Sequence, residues 1–400
     1  MSAASANAGS RSWSRLDGVD LLRGLAIFLV LIHHVNIRLV LAKVPFTQGM
    51  PRWLVDALFW NGQFGVQMFF AISGFLIASI ALRRWGSLGG VNVRDFYLLR
   101  FARIAPLLLV LLAVLSALHF AQVPNYIVQP NTGGLGRALF AALTFHLNLL
   151  EGWRGYLPGS WDVLWSLSVE EMFYLFFPLL ARLFGRGKIF IAILGAFVIL
   201  GPLGRRILTE GNPIWREKSY LGGMDAIALG CLAALLASQT RFSRRTLRIF
   251  GWCGGALIVL ILGVGPIRAL RGFDRLGLEE SILAIGTCLA MIAAAQTRWV
   301  APRALQPLLN LGQRSYEVYL THMFVVFACF GIFLRLGKPM WAVPVFFVTT
   351  VILAALLGEF VARLYSEPAN RWLRARWGEN RLGSAIVGKG DADPAANHAV

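Results

Sequence analysis

Residues 19–41 read VDLLRGLAIFLVLIHHVNIRLVL, and the fold follows from them. At 1.5 Å per residue this run makes a helix of about 34 Å, long enough to cross roughly 30 Å of hydrocarbon. It shows no small-x-small cleavage site, so it is expected to stay as a first membrane span and not to be removed as a signal peptide. Residues 1–15 are small and polar and are expected to form a disordered lead-in.

The rest of the chain repeats the pattern. Of its 400 residues, 57% are hydrophobic before the 41 glycines are counted, and 14% are charged. Soluble domains run to about 45–50% apolar with glycine included and about 25% charged. Mean hydropathy is +0.64. A soluble globule, a coiled coil and a disordered chain are all excluded, and the fold class is an all-α integral membrane protein.

Runs long enough to span fall near 19–41, 62–82, 104–121, 164–184, 188–204, 220–238, 249–265, 281–297, 315–335 and 340–364, a bundle of about ten transmembrane helices. A shorter run at 136–150 carries Thr144, His146 and Asn148 and is expected to be a re-entrant or interfacial helix in a long outer loop, 122–163. With ten spans and both termini cytoplasmic, 23 of the 38 Lys and Arg residues fall on inner segments and 14 on outer ones. An eleventh span would move the basic 241–248 loop outside, against the positive-inside rule. The membrane body is expected over 16–375 and a polar cytoplasmic tail over 376–400.

The net charge of +18 is spread between apolar runs. A nucleic-acid binder would gather it on one soluble face, so that class is excluded. Cys231, Cys253, Cys288 and Cys329 lie singly within apolar runs, which predicts neither a disulfide framework nor a metal site. No 20–50-residue repeat is visible, and the two halves show no similarity of the kind inverted-repeat transporters carry. Trp53, Trp60, Trp153 and Trp161 suit an aromatic belt at the interface.

Ionisable residues inside spans point to function, because lipid penalises them. Arg23 and His34 are eleven residues apart, which at 100° per residue returns to within about 20° of the same face, about 16 Å along the axis. His33 points elsewhere. Arg100 and Arg103 share a helix face at the start of the third span, where planar guanidiniums suit phosphate and also ordinary anchoring to anionic lipid. Glu170 and Glu171, in WDVLWSLSVEEMFYL (161–175), need buried partners, and as neighbours about 100° apart at most one should face a given site. Glu317 and His322 lie in RSYEVYLTH (314–322). Ser73–Gly74, in FFAISGFLI (69–77), suits a close-packing point between helices, and Ser73 lacks the flanking glycine of a nucleophile elbow.

These stretches occur in a particular order: LDGVDLLRGLAIFLVLIHH (16–34), FFAISGFLI, RFARIAP (100–106), WSLSVEEMFYL (165–175), SYEVYLTH (315–322) and SEPANRW (366–372). In that order they resemble the membrane-bound acyltransferase family 3, whose members acylate sugars on surface polysaccharides, lipopolysaccharide, peptidoglycan and some macrolides. The resemblance covers about residues 16–375. It implies transfer of an acyl group, acetyl at the family level, from cytoplasmic acyl-coenzyme A to a hydroxyl of a carbohydrate or glycolipid acceptor, at a bacterial inner membrane.

The resemblance also implies roles. Arg100 and Arg103 would hold the phosphates of acyl-coenzyme A, with Arg23 assisting. His34 would be the catalytic base or a transient acyl carrier. Glu170 or Glu171 would offset charge as it forms on His34. Ser73, Trp165 and His322 would line the substrate path. No cofactor beyond the acyl-coenzyme A donor and no metal is implied. Ala105 and Met172 depart from the family pattern, where an aromatic and a glutamine are frequent. The chain is expected to be the form without an appended hydrolase-like domain. A transporter of acyl groups or lipid-linked sugars is the alternative that buried charge also allows.

Overall fold

The computed structural model describes residues 16–208, 212–263 and 277–377. Among these residues every regular element is helical and no strand occurs. Ten helices are long and apolar enough to cross a membrane. They are α1 (Asp17–Leu41), α2 (Gly62–Trp85), α3 (Val93–Phe120), α4 (Leu164–Phe184) and α5 (Lys188–Leu208). The chain continues through α6 (Tyr220–Gln239), α7 (Arg244–Gly263), α8 (Glu279–Thr297), α9 (Ser315–Arg335) and α10 (Ala342–Val361). The expected lead-in and nearly all of the expected tail lie outside the described residues.

Burial sorts the ten into two shells. In α1, α2, α4, α6, α8 and α9 more than half of the most apolar stretch is buried within the protein, whereas in α3, α5, α7 and α10 less than two-fifths is. The outer four therefore turn large apolar side chains such as Trp252, Ile199 and Leu356 outward, where lipid would solvate them. The inner six are pulled together by small residues, since apolar surface gives helices no reason to associate in lipid. A Cβ on Gly74 would stand 1.9 Å from the Ile227 carbonyl oxygen, and one on Gly230 would stand 2.0 Å from that of Ala71. Thus α2 and α6 cross backbone to backbone.

The 136–150 stretch is two short helices, Gly134–Leu143 and Leu147–Arg154, and not a span. The break falls at Phe145, which sits in the left-handed region at φ 56°. Trp161 corrects the expected aromatic belt: it is fully buried, and its ring N–H donates to the Tyr126 carbonyl at 3.4 Å. Trp53 and Trp153 are exposed as expected. The four cysteines are free.

Candidate active site

The N-terminal ends of α1, α3 and α9 meet the C-terminal ends of α2, α6 and α8 around a cavity of about 710 Å³. Its charged lining comes from one turn of each of several helices. Arg100 sits two turns into α3, with its guanidinium over the Tyr174 ring at 3.7 Å. It donates to Glu171 at 2.7 Å, and Glu170 lies 3.7 Å away. Arg103, one turn further, lies 3.3 Å from Glu317 on α9 and over the Tyr316 ring. Arg23 donates to the Ser315 hydroxyl at 2.8 Å and lies 3.6 Å from Asp20.

Ser73 closes a small polar triangle on the same wall. Its hydroxyl donates to Glu170 and is bonded to the Tyr174 hydroxyl, which itself donates to Glu170 at 2.8 Å. Ser73 and Gly74 therefore have separate uses, the first polar and the second for close packing. Two expectations about the paired acids are corrected here. Both reach one site, because the long Arg100 side chain meets both of them. Neither makes an ion pair with His34, because Arg100 takes both.

His34 lies beyond the cavity and does not line it. Its Nδ1 is 2.9 Å from the Val30 carbonyl oxygen. A carbonyl can only accept, so Nδ1 carries the proton in the neutral ring and Nε2 keeps a lone pair. His322 repeats this arrangement, with Nδ1 2.7 Å from the Tyr319 carbonyl and a buried Nε2 that has no hydrogen-bond partner. The two rings stand edge to face, 4.9 Å between centroids. His33 faces the other way, toward the Phe59 carbonyl and the Trp60 ring. Tyr319 separates the histidine pair from the cavity. It lines the cavity, its ring lies 5.8 Å from His322, and its hydroxyl is fixed by Ser166 and the Val163 carbonyl.

Trp165 is not a cavity residue either. It is buried against Phe70 and lies 5.7 Å from the Lys218 ammonium. That lysine belongs to a cluster which sequence reasoning missed. Lys218 is buried, 2.9 Å from Glu151 and paired also with Asp162, below the Tyr156 ring. Burial pushes the Glu151 carboxyl well up and Asp162 pushes it the same way, while the Lys218 ammonium pulls it back.

A second missed cluster joins α5, α6 and α8. Arg205 is 1% exposed and makes a bidentate pair with Asp225 at 2.8 and 2.9 Å, with Ser281 at 2.7 Å and Glu280 at 3.4 Å. Asp225, a single acid within the apolar 220–238 run, was the available signal. Among the described residues no group of His, Cys, Asp and Glu could hold a metal ion.

Fold and site together define a helical protein of the membrane-spanning type, with an arginine-lined cavity and, behind Tyr319, a pair of histidines. The chain belongs to the acyltransferase 3 family, whose acyltransferase domain matches residues 16–359. It is 24% identical over 370 residues to the O-acetyltransferase OatA of Staphylococcus aureus strain NCTC 8325 / PS 47, and equally to OatA of strain COL. These alignments cover 89% of the chain and 57% of each relative, so the chain spans little more than half the length of those proteins. No solved structure matches.

Proposed function

We propose that the chain transfers an acyl group, acetyl by likeness to OatA, from acyl-coenzyme A to a hydroxyl of a sugar acceptor such as a surface polysaccharide or glycolipid. The donor enters the arginine-lined cavity from the cytoplasm, both termini lie on that side, and the membrane is the bacterial inner membrane. The acceptor reaches His34 from the opposite end. The observation that carries this reading is the tautomer of His34, fixed by the Val30 carbonyl so that its Nε2 is left unprotonated and free to take a proton.

The chemistry balances as a direct transfer. Nε2 of His34 takes the proton of the acceptor hydroxyl as its oxygen attacks the thioester carbonyl. The carbon–sulfur bond breaks, and the same proton leaves with the thiolate sulfur, giving ester and free coenzyme A. Arg100, held over Tyr174 and between Glu170 and Glu171, is a positioned guanidinium for an anionic group of the donor on the cavity side of His34. The two acids position that arginine. Ser73 holds Glu170 in turn.

The test uses inverted membrane vesicles holding the wild-type chain or His34→Ala at matched amounts, supplied with labelled acetyl-coenzyme A on the exposed face. Label entering base-labile ester on glycan in the wild type and not in the variant supports the reading. Equal labelling in both overturns His34 as the base.

A further inference from the structure

Arg23, Arg100, Arg103 and Arg205 each face a carboxylate at ion-pair distance. Arg38, near the far end of α1, does not. Among the described residues its side chain makes no ion pair and no hydrogen bond, and its Nε is buried without a partner. The guanidinium lies instead over the Phe327 ring of α9, 5.2 Å from the centroid. Asp162 acts on it only from beyond ion-pair distance, because that acid is bonded to Lys218.

This is not the setting of an arginine that anchors a helix end to the lipid surface. Phe327 and Met323 are buried. A Cβ on Gly159 would stand 2.9 Å from the Met323 methyl, 3.4 Å from the Arg38 guanidinium and 3.5 Å from the Phe327 ring. Thus α1, α9 and the turn at 159–162 converge on the guanidinium. The side chain is nevertheless only half-buried, so a solute can reach it. Arg38 is also four residues after His34, on the same helix face and about 6 Å further along the axis. It therefore adjoins the histidine pair on the side away from the arginine-lined cavity.

Resting on the acceptor reading above, we propose that Arg38 binds an acid group of the acceptor, so that the sugar acylated is an anionic one. Its oxyanion pairs with Arg38 while its hydroxyl meets Nε2 of His34. A charge held within a helix bundle calls for an opposite charge. Neutral sugar hydroxyls could accept from the guanidinium but would leave that charge uncompensated. The planar fork pairs in bidentate fashion with a carboxylate or a phosphate, and the Phe327 face holds the plane of the fork. One helical turn between base and guanidinium is of the order that separates a hydroxyl from an acid group across a single sugar ring. Two sources share this chemistry: a carboxylate on the sugar, and the phosphate that joins a sugar to a lipid carrier.

The test supplies labelled acetyl-coenzyme A to inverted vesicles, extracts the labelled glycan of the host and passes it over an anion exchanger. Product from the wild-type chain is expected to be acidic. Blocking carboxylates with a carbodiimide and a neutral amine abolishes retention where the acid is a sugar carboxylate, and mild acid that cleaves the sugar–phosphate bond abolishes it where the acid is phosphate. Arg38→Gln should lower the initial rate of labelling about tenfold, the loss of one charge-assisted hydrogen bond, with the KM for acetyl-coenzyme A unchanged. Arg38→Lys should recover part of the loss. Binding of coenzyme A to purified full-length Arg38→Gln in nanodiscs of phosphatidylcholine should match wild type, which a misfolded chain would not do.

The charge of the wild-type product decides even where a variant fails to fold: neutral product overturns this inference and leaves the donor reading and His34 standing. Acidic product made by Arg38→Gln at the wild-type rate also overturns it. A wild-type chain that labels no glycan overturns the proposed transfer and this inference together. If phosphatidylglycerol raises the thermal midpoint of the wild type in nanodiscs and not that of Arg38→Gln, while both label glycan equally, Arg38 serves lipid headgroups and the inference falls.

Discussion

His322 stands edge-on to His34, 4.9 Å between ring centroids, and each ring gives its Nδ1 proton to a carbonyl of its own helix. Each ring is thereby left with a basic Nε2, and that of His322 is buried without a partner. A proton taken up by His34 has a lone pair close by and no carboxylate in ion-pair reach.

The two histidines should consequently fail differently when replaced. His34→Ala should lower the transfer rate by about 10²–10⁴, the usual contribution of a general base. His322→Gln should lower kcat by about 10–100-fold, the loss of a hydrogen bond to a charged group, with the KM for acetyl-coenzyme A unchanged. Equal KM and kcat losses in His322→Gln would place that residue in substrate binding.

Arg100, partly exposed to the cavity, pairs with the buried Glu171 at 2.7 Å, so removing the arginine strands a buried acid. Arg100→Gln should destabilise the protein by about 1–3 kcal/mol. The double replacement Arg100→Gln with Glu171→Gln should regain part of that stability, since only Glu170 is left without its cation and it keeps the Ser73 and Tyr174 hydroxyls, and should still lack activity. Thermal unfolding in detergent alongside vesicle labelling separates the two effects.

Ser73 and Gly74 are neighbours whose replacements should diverge. Ser73→Ala removes one of the partners of Glu170 and should keep the fold while lowering activity. Gly74→Ala drives a methyl into the Ile227 carbonyl at 1.9 Å. Because that atom is backbone, the α2–α6 crossing has to open, at a cost of about 1–3 kcal/mol or more. Folded yield and thermal midpoint give the answer.

Most of the architecture was legible in the sequence because lipid imposes a simple code: apolar runs of about 20 residues, with basic residues between them. The face shared by Arg23 and His34 followed from helix periodicity alone. What stayed hidden depends on tertiary pairing. Arg205 counts as one more basic residue on an outer segment until Asp225, Ser281 and Glu280 surround it. Trp161 has the composition of a belt residue, and only the fold buries it. Local spacing set adjacent acids apart by angle and could not foresee that Arg100 would reach both.

The Lys218 cluster supplies the last prediction, because it lies toward the other end of α1. Arg38 is one turn beyond His34, and a Cβ on Gly159 would come within 3.4 Å of the Arg38 guanidinium, so residues 159–162 sit close to that end. Asp162 is partly exposed there, and the Lys218–Glu151 pair at 2.9 Å survives its removal. Asp162→Asn should therefore keep the fold and leave coenzyme A binding in phosphatidylcholine nanodiscs unchanged. Label transfer to the host's own glycans in inverted vesicles should fall several-fold, since an acceptor hydroxyl approaching from that side loses a charged hydrogen-bond acceptor. Lys218→Met, by contrast, leaves Glu151 and Asp162 without their cation and should cost about 3–5 kcal/mol of stability. If Asp162→Asn weakens coenzyme A binding as strongly as it weakens transfer, donor and acceptor do not approach His34 from opposite ends.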